Sequence, residues 1–240
     1  MEIVAAGCSF TFQNTDSIFW PDILGKDLNV TCKNLGIPGA GNDLIVSTVV
    51  DYVYDNFNNI KGVYILWSEW TRISLFNHPS GRVMFPSHHD QSNEKNIIGE
   101  IFRFLCQQSN WQTQTNVPTS TVLNSIIKYN IQIFSYLEMI LDRFKIPLYT
   151  LQGLPPFPKH NQKFVDVFNM HDYTIAQSIG LYENRFNNEE FYGWPYIPSL
   201  GGINYWDSMH NTKYSTDDGH PNNQGHVAIA NKFLEVYESI

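Results

Sequence analysis

Short apolar runs that stop at small or polar residues alternate along this chain with longer stretches whose apolar positions recur every three or four residues. Residues 3–6 form the first run, ending at Gly7, and suit a strand buried on both faces. Residues 62–67 (G-V-Y-I-L-W) form the clearest one, and 30–35 and 147–151 read as two more strands. Helical spacing predicts a short helix over 19–28, with Pro21 near its start, where proline is tolerated. A second helix runs from Asn42, read as its cap, to about Phe57, with Leu44, Ile45, Val49, Val50, Val53 and Phe57 on one face. Residues 97–107, 120–144 and 222–237 supply further helices, the long one carrying Ile126, Ile127, Ile131, Phe134, Leu137, Ile140 and Leu141 on one side. Strands alternating with helices predict an α/β fold: a three-layer α/β/α sandwich with a mostly parallel central sheet. A single domain over residues 1–240 is expected, long enough to bury a substantial core. The pattern loosens at 77–96, which is polar and irregular, and again at 152–216. That second stretch concentrates Tyr192, Trp194, Tyr196, Tyr205 and Trp206 among glycine and proline.

Composition narrows the function. Charged residues make up only 16% of the chain against 42% hydrophobic, so Asn, Gln, Ser, Thr and Tyr must cover much of the surface. A net charge of −8 lacks the basic face that nucleic acid requires. No apolar stretch is long enough to cross a bilayer. The N-terminus enters a strand at once, without the features of a secretion signal. Neither a nucleic-acid nor a membrane partner is expected, and a cytoplasmic or virion-associated location is favoured. Cys8, Cys32 and Cys106 are odd in number and lack paired spacing, so they read as free thiols. His88-His89-Asp90 could ligate a metal, but nothing completes the set and a solvated loop is the better reading. No metal or cofactor is expected.

In an open α/β sheet, ligands bind outside the carboxyl ends of the strands. Cys8, Ser9, Phe10 and Thr11 follow the first strand there, which puts the Ser9 hydroxyl where a nucleophile would sit. The bland alternative is that Ser9 and Thr11 only cap the following turn. At the far end, Thr216-Asp217-Asp218-Gly219-His220-Pro221 precedes the last helix. An Asp three residues ahead of a His can accept a hydrogen bond from the imidazole. That bond fixes the tautomer and leaves the other ring nitrogen to take a proton from a serine. His226 reads as a packed histidine hydrogen-bonded to a loop rather than as a second base. Cys8, on an extended backbone, points away from Ser9 into the core.

The order Gly-x-Ser, glycine loop, Asp-x-x-His-Pro resembles the SGNH (GDSL-like) hydrolases over nearly the whole chain, and implies their flavodoxin-like sandwich. Gly7-Cys8-Ser9 matches the nucleophile block, with Cys8 in place of the usual aspartate. Asn34-Leu35-Gly36-Ile37-Pro38-Gly39 is similar to the second block, which implies that the N–H groups of Gly39 and Ser9 hold an oxyanion. Asp217 and His220 match the last block as orienting acid and base. Trp20-Pro21 and Gly225-His226 add likeness to a branch common in phage and marine microbial sequences. The third block departs from the pattern. Where the family has Gly-x-Asn-Asp, this chain has Trp67-Ser68-Glu69-Trp70, and a carboxylate stands in place of the expected amide donor. An ionised Glu69 would repel the oxyanion. A protonated or averted Glu69, donation by Ser68, or approach of Arg72 would each relieve that conflict. A Glu69–Arg72 pair that only braces the strand end is the structural alternative.

Three functions stay open. The resemblance implies a serine esterase working through a Ser9 acyl-enzyme, with an O-acyl group on a carbohydrate as first substrate class and a short-chain ester next. Trp194, Tyr196, Tyr205 and Trp206 are the candidate substrate-binding residues. A catalytically degenerate carbohydrate-binding or virion structural module is the second reading, motivated by Glu69. A sugar acyltransferase using the same residues is the third.

Overall fold

The structure, a computed structural model, describes residues 1–12, 18–70, 72–74, 82–84, 119–157, 172–182, 184, 187, 189, 191–209, 213–217 and 219–239. Its central sheet holds β1 (Glu2–Gly7), β2 (Thr31–Asn34), β3 (Ile60–Trp67) and β6 (Leu148–Gln152), all parallel, in the order β2-β1-β3-β6. Two short strands, β4 (Arg72–Ser74) and β5 (Arg82–Met84), pair antiparallel apart from it. The helices are α1 (Trp20–Asp27), α2 (Asn42–Asn56), α3 (Thr119–Phe144), α4 (Asp172–Gly180), α5 (Tyr205–Met209) and α6 (Asn223–Ser239).

Side-chain alternation along the strands sorts the helices into two layers. Val4 and Ala6 of β1, with Val63, Ile65 and Trp67 of β3, pack against α2, α3 and α4. Ile3 and Ala5, with Tyr64 and Leu66, face the other way, toward Trp20 and Leu24 of α1 and Ile229, Ala230 and Phe233 of α6. Helix α1 lies directly on α6, and α3 lies on both α2 and α4. The three-layer sandwich read from the sequence is thus the observed architecture. No described helix is long and apolar enough to cross a membrane.

Two helices end in the same device. After α1, Asn29 adopts φ 51°, and the N–H groups of Asn29 and Val30 return to Lys26 O and Gly25 O. After α3, Lys145 takes φ 58°, and the N–H groups of Lys145 and Ile146 return to Asp142 O and Leu141 O. Both are Schellman closures, and each turns the chain straight into the next strand.

The structure corrects several details of the sequence reading. Asn42 does not cap α2: Gly41 is the N-cap, and Asn42 is the first helical residue, fully buried. Phe57 leaves the helix for a 3-10 turn and stacks on Phe144 near the surface, with ring centroids 4.8 Å apart. Part of the irregular 77–96 stretch is strand β5, and 152–216 contains the unforeseen α4. The helix expected at 97–107, Cys106 and His88-His89-Asp90 lie outside the described residues.

Asn42 instead anchors a buried polar network around the end of β3. Its Oδ1 accepts from Ser68 N (2.9 Å), and its Nδ2 donates to Asn130 Oδ1 (2.9 Å). Asn130 Nδ2 donates in turn to Trp70 O and to Ile126 O, each at 2.9 Å. Gln152 Nε2, from the end of β6, donates to Ser68 O at 2.8 Å. Asn42→Ala would leave Ser68 N and Asn130 Oδ1 unpaired in the core. It is expected to lower the unfolding free energy by about 3 kcal/mol in urea titration, with the m-value unchanged.

Candidate active site

The carboxyl edge of the sheet gathers the candidate residues. Strand β1 stops at Gly7, where a Cβ would collide with Thr11 Oγ1 and the Leu66 carbonyl, so only glycine lets the chain fold back here. Cys8 O then accepts from the N–H groups of Thr11 and Phe12, closing one helical turn with Ser9 at its open end. Thr11 is no solvent-facing cap. It is buried, and its Oγ1 accepts from Trp20 Nε1 at 3.3 Å. Asn34 Nδ2 donates to Thr11 O (2.9 Å) while Asn34 Oδ1 accepts from Gly36 N (2.8 Å), so one side chain ties the Ser9 turn to the glycine loop. That loop turns at 37–40, closed by Ala40 N to Ile37 O at 3.1 Å. Pro38 occupies its second position and Gly39, at φ 69°, its third, as in a type II turn. The closing bond leaves the Gly39 N–H out of the turn.

Ser9 and His220, 211 residues apart, meet at this edge. The Ser9 Oγ lies 3.0 Å from His220 Nε2, both residues half-buried. Helix α6 brings the histidine there by packing on α1, with Thr216 holding the loop ahead of it. Thr216 N and Oγ1 both donate to His220 O, at 2.8 and 2.9 Å. Asp217 sits exposed in the turn that Gly219 N closes onto Thr216 O (2.9 Å), while His220 Nδ1 is buried. The Phe10 ring meets the imidazole edge-on, with centroids 5.4 Å apart, a contact the sequence reading missed although Phe10 directly follows Ser9.

A second imidazole stands behind the first. His226 is buried and packs on the Phe19 ring at 4.7 Å. It is the packed histidine expected, and its Nδ1 has no hydrogen-bond partner among the described residues. Burial, and secondarily the nearby charge of His220, pull its pKa down to about 4.

At the third block, Glu69 is 3% exposed and forks Arg72, with Nε to Oε2 at 3.1 Å and Nη2 to Oε1 at 3.2 Å. Burial works against the Arg72 charge, but Glu69 and Cys8 outweigh it and hold the guanidinium above its ordinary pKa. Cys8 is buried in the core as expected. Ser68 is fully buried, its backbone locked by Asn42 and Gln152.

The aromatic candidates divide. Trp206 is half-buried and stacks on Phe10 (6.2 Å), beside the Ser9–His220 contact, where Trp206 N also donates to Gly153 O (3.0 Å). Tyr205 is buried against Phe10 and belongs to the core. Trp194 stacks on Trp70 at 5.8 Å. Tyr196 is corrected: at 0% exposure, in the core with Trp67 and Phe134, its ring has no face left for a ligand. No group of three metal-ligating side chains occurs among the described residues.

The His226 shift predicts a pH dependence of stability. In the unfolded chain the ring titrates near its ordinary 6.5 and in the folded protein near 4, so between these values the unfolded state binds more protons. Stability from this group is complete above about pH 6.5, falls as pH drops, and is lost below about pH 4, a difference of about 3 kcal/mol. Urea titrations across that range should show the slope, and His226→Gln should flatten it.

No family model and no curated protein sequence matches the chain. Solved structures do. A G-D-S-L family lipolytic protein from Desulfitobacterium hafniense DCB-2 aligns over 98% of this chain and 98% of its own, at 13% identity and a TM-score of 0.50. The psychrotrophic esterase EstA from Pseudoalteromonas sp. aligns over 99% and 97%, at 9% identity and a TM-score of 0.47. A catalytic mutant of the acetylxylan esterase Axe2 from Geobacillus stearothermophilus aligns over 98% and 92%, at 10% identity and a TM-score of 0.43. Sheet order, helix layers and end-to-end alignment with the first of these agree: the chain has the fold of the SGNH, or GDSL-like, hydrolases.

Proposed function

We propose that this protein is a serine ester hydrolase. In this reading the Ser9 Oγ bonds to the acyl carbon while its proton passes to His220 Nε2, and the carbonyl electron pair moves onto oxygen. Collapse of that intermediate expels the alcohol, which takes the proton from His220 and leaves an acyl-Ser9. Water, deprotonated by the same nitrogen, then releases the acid and restores Ser9. The observation that carries the reading is the 3.0 Å contact between Ser9 Oγ and His220 Nε2 at a strand's carboxyl edge. Asp217, exposed on the turn just ahead, is the acid assigned to orient the ring; it would have to move onto His220 Nδ1, which forms no hydrogen bond among the described residues. The N–H groups of Ser9 and Gly39 receive the oxyanion.

For the substrate, Trp206 beside Phe10 supports a flat apolar platform next to the nucleophile, which suits the face of a sugar ring. An O-acyl group on a carbohydrate is the substrate class proposed, with a short-chain ester next. Glu69 at the oxyanion side favours the second reading, a sugar-binding module that has lost catalysis.

The parent protein is expected to hydrolyse an activated acetyl ester and to be labelled by a fluorophosphonate. Ser9→Ala should abolish both, and His220→Ala should lower kcat at least about a thousandfold. Trp206→Ala should raise KM for an acetylated oligosaccharide about fivefold and leave the small ester unaffected. An inert parent whose sugar binding survives Ser9→Ala would replace the esterase by the binding module.

A further inference from the structure

Resting on the esterase reading, the residue after the nucleophile gains a role of its own. A general base has to be held as well as placed, because an imidazole can swing about its two side-chain bonds. The two bonds from Thr216 fix the His220 carbonyl, and so the backbone from which the ring hangs, but not the ring itself. Asp217 stands exposed on the same turn, where water weakens the pull of its charge. Phe10 is placed otherwise. Its ring centroid lies 5.4 Å from that of the imidazole, with 64° between the planes, in the range of favourable edge-to-face pairs. That ring has no room to retreat: Phe10 is 2% exposed, meets Tyr205 edge-on at 6.1 Å and belongs to the core layer that holds Trp20 and Phe233. Ser9 and Phe10 are successive residues of the one helical turn closed on Cys8 O, so their side chains leave it about 100° apart. His220 touches both, the hydroxyl at Nε2 and the phenyl ring from a second direction. One short segment thus carries the nucleophile and a wall for its base.

We propose that Phe10 is the principal positioning residue of the base, its ring holding the His220 imidazole in the orientation that keeps Nε2 on Ser9 Oγ. No bond forms or breaks at Phe10. As Ser9 Oγ bonds to the acyl carbon and its proton moves to Nε2, the wall keeps the ring where the transfer left it. The same nitrogen then returns that proton to the departing alcohol without a search for the right orientation. The nucleophile and the group that orients its base move together, because they share one backbone turn.

The test measures kcat and KM on the activated acetyl ester, and the rate of fluorophosphonate labelling, with Phe10→Met as the main variant. Methionine keeps much of the apolar volume and gives up the flat, rigid ring. Both kcat and the labelling rate should fall about a hundredfold at unchanged KM, with unfolding still cooperative. Where Phe10→Met does not unfold cooperatively, Phe10→Leu serves for the same comparisons. In a His220→Ala background, adding Phe10→Met should change the residual labelling rate less than about threefold, because Phe10 acts through the imidazole. Asp217→Asn should cost less than Phe10→Met. In the parent protein, nuclear Overhauser contacts should connect the Phe10 and His220 rings, a measurement that needs no variant. A kcat of Phe10→Met within about threefold of the parent's would overturn the proposal. So would an equal loss in the His220→Ala background, a larger loss from Asp217→Asn, or rings that show no contact. A parent that neither turns over the ester nor is labelled removes the esterase reading itself, and this inference with it.

Discussion

A strand covered on both faces can expose polar chemistry only where it ends, and that constraint organises this molecule. Val4 and Ala6 are claimed by one helix layer and Ile3 and Ala5 by the other, so β1 has no free face before Gly7. The missing Cβ at Gly7 lets the backbone double back within one turn, and Ser9 emerges at the rim. Everything else at the rim is arranged to meet it. Asn34 straps the glycine loop to the Ser9 turn, and the packing of α6 on α1 delivers His220 from the opposite end of the chain.

The buried charges at the end of β3 follow a different logic. An ion pair removed from water is often no more stabilising than a well-packed apolar pair of the same size, whereas losing one partner is costly. The Glu69–Arg72 fork is thus a weak source of net stability, and removing either partner alone would be costly. Around it, neutral amides do the structural work: Asn42, Asn130 and Gln152 satisfy the backbone of Ser68 and Trp70 without introducing further charge. The backbone at the rim is held by uncharged side-chain hydrogen bonds.

Much of this could be read from the residues alone, and the exceptions have physical causes. Strands β1 and β3 were legible because runs such as 62–67 are apolar without interruption, as doubly covered strands must be. Ser9 and His220 were legible because their neighbours stand in a recognisable order. Asn42 misled because an asparagine ahead of an apolar helix ordinarily caps it, and nothing local reveals a partner 88 residues away in Asn130. Tyr196 misled because aromatic rings among glycine and proline suggest a surface loop, yet this loop folds inward and places the ring in the core with Phe134. Helix α4 was hidden because little apolar pattern marks it: Ile175 and Ile179 are buried with the polar Ser178 between them. The Glu69–Arg72 pair was anticipated as a brace, and sequence spacing alone could not place the Arg72 backbone against Gly41.

The 211-residue separation of Ser9 from His220 has a consequence for biosynthesis. Strand β1 leaves the ribosome early, but the imidazole that meets Ser9 arrives only after nearly every other element has been translated. The hydroxyl of a nascent chain therefore has no base beside it, and the contact can form only once α6 has docked onto α1. Any truncation that removes the last helix removes the packing on α1 that sets His220 beside Ser9.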